Sequence, residues 1–220
     1  MKKVLRILGF ESLGREAYSI AESMQHYDRI VFYDDNELLV DQSFRKGSMA
    51  GSFFDSYSKK DGLFCIAIGS PNIRNKIMHI AGHNRLATLI HSSSVVDPSS
   101  SVGVGSIIGP LCHIGPKVKI GCGVLVWSGT IISHDSYIGD LCYISPGVSI
   151  GGYTNIGAQT LIGLDASIIS HCVIGEKCVV GMRGNVRRDV PSMTLVRPTG
   201  VHEKIRGEVH EKIFFKTNIG

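Results

Sequence analysis

The second half of the chain carries a branched aliphatic residue at every sixth position. From Val96 to Val186 all sixteen of these positions are Ile or Val, and no insertion breaks the register. The next residue is Gly in ten of the sixteen, and a small residue usually follows four positions after the aliphatic one. A fixed period held over this length indicates a repeat architecture, in which each unit buries little by itself and stacking supplies the core.

The repeat fits a triangular prism wound from short strands. Three six-residue sides make an eighteen-residue coil, and coils stack at the inter-strand spacing of about 4.8 Å. The span from Val96 to Val186 therefore predicts five coils and a height of about 24 Å. Gly after the aliphatic residue is expected at a corner, where side chains would collide or φ must be positive. We expect four cysteines simply to pack in the small interior column: Cys112, Cys142, Cys172 and Cys178.

The first ninety residues follow a different pattern, in which short apolar runs alternate with Gly-containing turns and helix-like segments. This alternation predicts a small Rossmann-like α/β domain with a parallel sheet. The predicted domains are 1–90 for this sheet domain, 91–191 for the prism and 192–220 for a tail that straps the last coil or a neighbouring subunit. Strands are predicted at 3–8, 29–33, 63–68 and 85–90, and helices at 15–25 and 73–82.

Ligands of such sheet domains bind beyond the carboxyl ends of the strands. Amides at the start of the first helix could hold a phosphate, and an Asp could accept hydrogen bonds from a ribose or a base. The same Gly-containing turn also occurs as plain strand-to-helix geometry, so both interpretations stay open. The candidate substrate-binding residues on this rim are Gly9, Ser12, Gly14, Asp34, Asp35, Gly69 and Asn72.

Composition narrows the class of protein. The chain has 26 Gly, 43% apolar residues, only 7% aromatic residues and a net charge of +4. The apolar content argues against disorder, and the small charge argues against a nucleic-acid partner. No secretory signal and no membrane-spanning run is evident, and the six cysteines form no CxxC pair. We therefore expect reduced thiols, a cytoplasmic location and no membrane partner.

His134 and Asp135 are the candidate catalytic residues. His134 lies two positions after the interior Ile132, which places it on the surface or in a subunit cleft. Histidine suits proton transfer at neutral pH, and the adjacent carboxylate could orient and stabilise it. A zinc site built from His113, His134 and His171 is a remote alternative, because no close histidine pair occurs, and no metal is expected.

The Ile-Gly repeats, the Gly-rich first turn, Asp34-Asp35 and the segment from His134 to Asp140 together resemble the sialic acid O-acetyltransferase and bacillosamine-type sugar N-acetyltransferase family. The resemblance covers the chain from Val4 to about Pro198. It implies a left-handed parallel β-helix, acetyl-CoA as the acetyl donor, a homotrimer with active sites between neighbouring prisms, and His134 and Asp135 as the base and its partner. Two positions depart from the family pattern: Ser12 replaces a common Gly, and Tyr143 stands where many members have a second histidine.

Acetyl-CoA needs a long slot and cations for its phosphates. Basic residues are sparse along the prism until Lys177, Arg183, Arg187 and Arg188 follow within twelve positions. This cluster suits a phosphate site, although a solvated cap on the last coil explains it equally well. Small residues would let the pantetheine arm lie close to the coils. The candidate cofactor-binding residues are Tyr143, Gly147, Gly152, Ala158, Gly163, Lys177, Gly181 and Arg183.

The sequence thus predicts an acetyl-CoA-dependent N-acetyltransferase that modifies a UDP- or dTDP-linked amino-deoxy sugar for surface glycan biosynthesis. An O-acetyltransferase of sialic acid on the same scaffold is the nearest alternative. A non-catalytic nucleotide-binding scaffold trimer is the alternative from a different class.

Overall fold

The computed structural model of the chain describes residues 3–39, 42–59, 61–198 and 202–204. An α/β domain with a parallel sheet is followed by a left-handed parallel β-helix, so the predicted fold class is confirmed. Most of the predicted tail, 192–220, lies outside the described residues.

The N-terminal domain is built on a three-stranded parallel sheet, in which Val4–Leu8 lies between Arg29–Tyr33 and Leu63–Ile66. This central strand is almost wholly apolar and buried, as expected for a parallel strand covered on both faces. In chain order the elements are β1 (Val4–Leu8), α1 (Ser12–Met24), β2 (Arg29–Tyr33), the hairpin β3 (Ser43–Phe44) and β4 (Gly47–Ser48), α2 (Phe53–Tyr57), β5 (Leu63–Ile66) and α3 (Pro71–Ala81), with 3-10 turns at Glu37–Leu39 and His83–Arg85.

Local signals explain the helix bounds. The side chain of Ser70 accepts a hydrogen bond from the backbone N–H of Ile73, and Pro71 occupies the first helical position, so α3 begins two residues before the predicted start. Helix α1 begins at Ser12, three residues before the predicted start, and ends where Gln25 adopts a left-handed conformation.

The β-helix has three faces, which we number in the order in which the chain visits them. The eighteen-residue coil is confirmed by the strand register, since His113 pairs with Ile131 and Lys119 pairs with Tyr137. The first face consists of Leu89–Ile90, Ile107–Ile108, Leu125–Val126, Tyr143–Ile144, Leu161–Ile162, Val179–Val180 and Thr194–Val196, with His202–Lys204 added antiparallel. The second face consists of Val95–Val96, His113–Ile114, Ile131–Ile132, Ser149–Ile150, Ser167–Ile168 and Asn185–Val186. The third face consists of Ser101–Val102, Lys119–Ile120, Tyr137–Ile138, Asn155–Ile156 and Val173–Ile174.

The β-helix extends beyond the span of the regular repeat at both ends. The predicted strand at 85–90 is divided: Leu86 bridges to Phe64 of the N-terminal sheet, whereas Leu89–Ile90 is already the first strand of the β-helix. At the other end, Thr194–Val196 lies in the predicted tail but pairs parallel with Val179–Val180. The β-helix therefore has about six coils, one more than the regular repeat predicts.

The interior contains the aliphatic ladder and the small column beside it. The four cysteines of the column are at most 2% exposed, which confirms that they pack inside. Burial raises the pKa of the Cys142 thiol to about 12 and that of Cys172 to about 11, so both stay protonated. Serines in the column are satisfied by neighbouring coils: Ser106 donates to the carbonyl of Gly121 and accepts from the N–H of Val124.

The glycine after each aliphatic residue is required by close approach of the next coil and not by positive φ. A Cβ built on Gly157 would lie 2.6 Å from the backbone nitrogen of Glu176, and one on Gly139 would lie 2.6 Å from that of Ala158. Positive φ occurs two positions later in the repeat, mostly at residues other than glycine, such as Lys117 and Asp135. Glycine was expected at these positions either because a side chain would collide or because φ is positive. The structure supports the first reason.

The N-terminal domain covers the first face of the β-helix. Leu89, Ile107, Leu125 and Trp127 share a buried cluster with residues of the N-terminal sheet and of α1. On the corner between the third and first faces, the fully buried Arg74 of α3 donates hydrogen bonds to the carbonyls of Gly123 and Leu141. Burial lowers the pKa of Arg74 to about 10, which leaves it charged at neutral pH. Among the described residues, these contacts place the N-terminal domain on the first face and on the corner beside it.

Stability should depend on the glycines at the close approaches. In Gly157→Ala, the new Cβ meets backbone atoms of the next coil, which cannot move aside, so we expect a loss of about 2 kcal/mol in the free energy of unfolding. Gly129→Ala is the matched control, because a Cβ there meets nothing within 4 Å and only its φ of +70° costs about 1 kcal/mol. Thermal and urea unfolding measure both, and equal losses would contradict the role of close approach.

Candidate functional site

His134 lies on the corner between the second and third faces, which we call the catalytic corner. Its Nδ1 is 3.0 Å from Oδ2 of Asp135. The imidazole is 53% exposed and the Asp135 side chain 29%, so the pair is open to a ligand from solution. Because an ionised carboxylate only accepts hydrogen bonds, Nδ1 carries the proton and Nε2 presents a lone pair. This is the arrangement of a general base with an orienting carboxylate.

The repeat places Asp135 where it can make this contact. Its φ is +54°, a left-handed conformation that Asp adopts more readily than most residues. The backbone N–H of Asp135 donates to the carbonyl of Pro116 in the preceding coil, which fixes the turn. The carboxylate is therefore positioned by the backbone of the repeat and not by chance contact at the surface.

Gly152 and Tyr153 of the next coil bound the imidazole. A Cβ at Gly152 would lie 2.9 Å from Nε2 and Cε1 of His134, so only glycine leaves the ring its space. The Tyr153 ring meets the imidazole edge-on with centroids 5.2 Å apart and stacks on His171 at 4.8 Å. The rings of His134, Tyr153 and His171 thus form a column that extends toward the C-terminal end of the catalytic corner.

A groove lies on the other side of His134, toward the N-terminal end. Its volume is about 510 Å³, and Asp135 lies at its upper end. Two lysines enter it from the preceding coil: Lys117, one coil before Asp135, and Lys119, which pairs with Tyr137. The full lining is Ser99, Ser101, Lys117, Lys119, Asp135, Ser136 and Tyr137.

The rim of the N-terminal domain brings together the predicted substrate-binding residues, with several of them engaged in the fold. Asp34 accepts hydrogen bonds from the N–H groups of Phe10 and Asn36, and Asp35 accepts from that of Phe53. Gly9, Gly14 and Gly69 are buried, and a Cβ at Gly14 would lie 2.1 Å from the carbonyl oxygen of Gly9. Ser12, Asp35 and Asn72 are the exposed members. Beside them, a cavity of about 430 Å³ is lined by Asp34, Asp35, Glu37, Met49, Ala50, Gly51, Ser52 and Asp55.

The predicted cofactor-binding residues are distributed over three corners. Gly152 alone lies beside His134. Ala158 and Lys177 lie on the corner between the third and first faces, and Tyr143 lies on the first face beside Trp127, with ring centroids 6.2 Å apart. Burial raises the pKa of Tyr143. Gly147, Gly163, Gly181 and Arg183 lie on the corner between the first and second faces.

Tyr153 was missed as a candidate, although it stands one coil above Asp135. Arg187 and Arg188 belong to the basic cluster that the sequence offers for phosphate, but only Lys177 and Arg183 of that cluster were taken as cofactor-binding residues. The structure places Arg187 and Arg188 at the C-terminal end of the catalytic corner. Counting in steps of eighteen reaches Tyr153 from Asp135 and Arg188 from His134, so that arithmetic could have identified this corner.

The histidines of the zinc alternative do not converge. The ring of Tyr153 lies between His134 and His171, and His113 lies on the second face. In 3–39, 42–59, 61–198 and 202–204 there is no group of three or more His, Cys, Asp or Glu side chains that could hold a metal ion. Over the same residues, no helix is long and apolar enough to cross a membrane.

Comparison with known protein families gives a match in each half of the chain. Residues 5–81 match the family model described as the PglD N-terminal domain, and residues 117–152 match bacterial transferase hexapeptide (six repeats). In the sequence comparison, no curated protein matches the chain.

Solved structures share the fold over nearly the whole chain. The acetyltransferase domain of PglB from Neisseria gonorrhoeae FA1090, in complex with acetyl coenzyme A, is 24% identical, with a TM-score of 0.85, over 93% of this chain and 100% of that one. A histidine-to-alanine mutant of GDP-perosamine N-acetyltransferase from Caulobacter crescentus, in complex with CoA and GDP-perosamine, is 22% identical, with a TM-score of 0.84, over 94% and 98%. WeeI from Acinetobacter baumannii AYE is 21% identical, with a TM-score of 0.71, over 89% and 96%. The chain thus matches the PglD N-terminal domain in its first part and bacterial transferase hexapeptide repeats in its second, and it shares its fold with the acetyltransferase domain of PglB and with GDP-perosamine N-acetyltransferase.

Proposed function

We propose that the protein transfers an acetyl group from acetyl-CoA to the amino group of a nucleotide-linked amino sugar, with His134 as the general base. The observation that carries this proposal is the His134–Asp135 contact on an open corner, with Nε2 facing the space kept by Gly152. The structures of similar fold were solved with acetyl-CoA or with CoA and GDP-perosamine, which supports the same substrate classes. The product would be a building block for surface glycans.

The reaction needs a group that accepts the proton of the amine, and a proton source for the CoA thiolate as it leaves. Nε2 of His134 takes a proton from the acceptor amine as its nitrogen attacks the thioester carbonyl, and Asp135 stabilises the imidazolium that forms. Collapse of the tetrahedral intermediate expels the CoA thiolate, which takes the proton back from His134. The products are the amide and the CoA thiol, and the imidazole is neutral again, so the base is ready for another cycle.

The catalytic corner offers a path for CoA. Arg187 and Arg188 stand three coils beyond His134, or about 14 Å at the spacing of stacked strands. That separation suits a long pantetheine arm between a thioester at the base and phosphates at the arginines, because guanidinium groups bind phosphate well. Tyr153 and His171 line the corner in between. Gly147, Gly163, Gly181 and Arg183 border the opposite edge of the second face, where a neighbouring copy could complete the slot.

Each active site should draw on two copies of the chain. The N-terminal domain covers the first face, whereas His134 lies on the corner opposite that face. A nucleotide on the rim of one chain would therefore reach the base of a neighbour more directly than its own. We infer a closed homotrimer, in which three equivalent clefts each combine a rim and a catalytic corner.

O-acetylation of sialic acid remains the second candidate, since the same base would deprotonate a hydroxyl. The scaffold alternative predicts no turnover at all. Incubation with acetyl-CoA and UDP-, dTDP- and GDP-linked amino sugars or sialic acid, followed by thiol release and product mass, separates these possibilities. We expect turnover with a nucleotide amino sugar and none with sialic acid.

His134→Ala should lower kcat/KM for acetyl transfer at least about a hundredfold, because the proton acceptor is lost. Asp135→Asn should lower it less, since the base stays and only its orientation and charge partner are weakened. His79→Ala on α3 removes an exposed histidine far from the catalytic corner and should leave kcat/KM unchanged. Near-normal turnover by His134→Ala in a folded protein would overturn the assignment of the base.

Gly152→Ala should lower kcat with little change in stability. The new methyl group meets the far end of the imidazole, so the ring moves while the backbone keeps its place. We expect about a tenfold loss in kcat, typical of a misplaced catalytic group. Gly129→Ala serves as the control for an added methyl group on a corner. Full activity of Gly152→Ala would show that His134 works from another rotamer.

Mixed oligomers test whether a site is shared. Ser12→Trp fills the rim of a chain whose base is intact, and His134→Ala removes the base of a chain whose rim is intact. Each variant alone should be inactive, whereas trimers refolded from an equal mixture should recover about a quarter of the wild-type activity if rim and base come from different chains. No recovery in verified mixed trimers would place both within one chain.

A further inference from the structure

Two lysines stand out, Lys117 on the catalytic corner and Lys119 on the third face beside it, because the coils around them carry no other Lys or Arg. Between Val102 and Val173 the only Lys or Arg residues are Lys117 and Lys119. Both are exposed, and both line the groove that ends at Asp135. The four ion pairs of the described residues involve neither of them. Their charges are therefore available to a ligand in the groove.

The backbone holds the two lysines in place. Lys117 has a φ of +57°, and its N–H donates to Oγ of Ser99, which in turn donates to Asp97. Lys119 lies in a strand between Ser101 and Tyr137. Both side chains therefore extend from neighbouring, fixed backbone positions that line the groove. Two ammonium groups so placed suit a group with two negative phosphates, since lysine binds phosphate as a point charge.

Distance from the base separates the two phosphate-bearing substrates. In a nucleotide sugar, a single sugar ring lies between the diphosphate and the amine that reacts. In CoA, the whole pantetheine arm lies between the phosphates and the thioester. Lys117 is one coil from Asp135, or about 4.8 Å along the β-helix, whereas Arg187 and Arg188 are about three coils away. Cations one coil from the base match the acceptor, and cations three coils away match the cofactor.

We propose that Lys117 and Lys119 bind the diphosphate of the acceptor and so present its amine to His134. This inference rests on the proposed acetyl transfer and adds to it. The groove selects acceptors that carry a diphosphate, whatever their nucleobase. The nucleoside would extend from the groove toward the rim of the neighbouring chain. An amino sugar without a diphosphate would then bind poorly even where its ring fits.

The double variant Lys117→Ala/Lys119→Ala tests this assignment in the full-length oligomer. We expect KM for the nucleotide amino sugar to rise at least tenfold, with KM for acetyl-CoA and turnover of the same sugar without its nucleotide unchanged. Lys76→Ala on α3 is the control for loss of an exposed lysine elsewhere. A rise in KM for acetyl-CoA instead would assign the groove to the cofactor and overturn the proposal, while acetyl transfer itself would stand.

A binding measurement keeps the test independent of turnover. Calorimetry with UDP, GDP and dTDP alone should show binding to the wild-type protein that is weakened at least tenfold in the double variant. Equal binding by both would overturn the diphosphate site even if the enzyme is active. If no amino sugar is acetylated yet diphosphate binding still depends on the lysines, the proposed function fails and the groove assignment stands.

Discussion

Close approach between successive coils is the constraint on which the rest of the structure depends. At Gly157 and Gly139 the backbone of the next coil leaves no space for even a methyl group. Because the glycines allow the coils to stack at strand spacing, each residue of the repeat lies above its counterpart eighteen positions earlier. Functional side chains on a corner therefore form a column with a fixed rise. Position in the sequence becomes position along the β-helix, and a ligand that lies along a corner meets groups at set intervals.

The catalytic corner shows what this regularity makes possible. From its N-terminal to its C-terminal end, this part of the β-helix carries a series of polar and small residues at set intervals. They are Lys117 and Lys119, then His134 and Asp135, then Gly152 and Tyr153, and finally Arg187 and Arg188. The glycine is essential to the order, since any side chain at Gly152 would occupy the space of Nε2. Interior packing imposes none of these choices, because the corner residues face outward. The same β-helix could therefore carry other chemistry with the same core.

Much of the fold could be predicted from the sequence, because its signals are local and repeated. The aliphatic ladder specifies the coil, and the interior cysteines follow from the small column. The predicted strand at 85–90 could not be assigned correctly, because its residues serve two sheets: Leu86 pairs with Phe64 and Leu89 pairs with Ile107. Thr194–Val196 was likewise missed as a strand because it follows a break in the six-residue period. Such pairings depend on tertiary contacts, which the six-residue period of the sequence does not reveal.

The candidate site also has a part that local sequence signals predict and a part that depends on tertiary contacts. His134 and Asp135 could be singled out because a local motif carries them, and their contact is seen in the structure. The basic cofactor candidates were chosen as a cluster along the chain, and on a β-helix such a cluster is distributed among corners. Lys177 and Arg183 are six positions apart yet lie on different corners. Arg74 was not anticipated at all, since nothing in its surroundings in the sequence reveals that a buried guanidinium will bind the carbonyls of Gly123 and Leu141. Yet this residue helps to hold the N-terminal domain on the side of the β-helix away from His134. Since burying an arginine is costly unless its donors are satisfied, its contacts favour a single placement of the domain. Under the proposed function, that placement is the reason to expect a second chain at each active site.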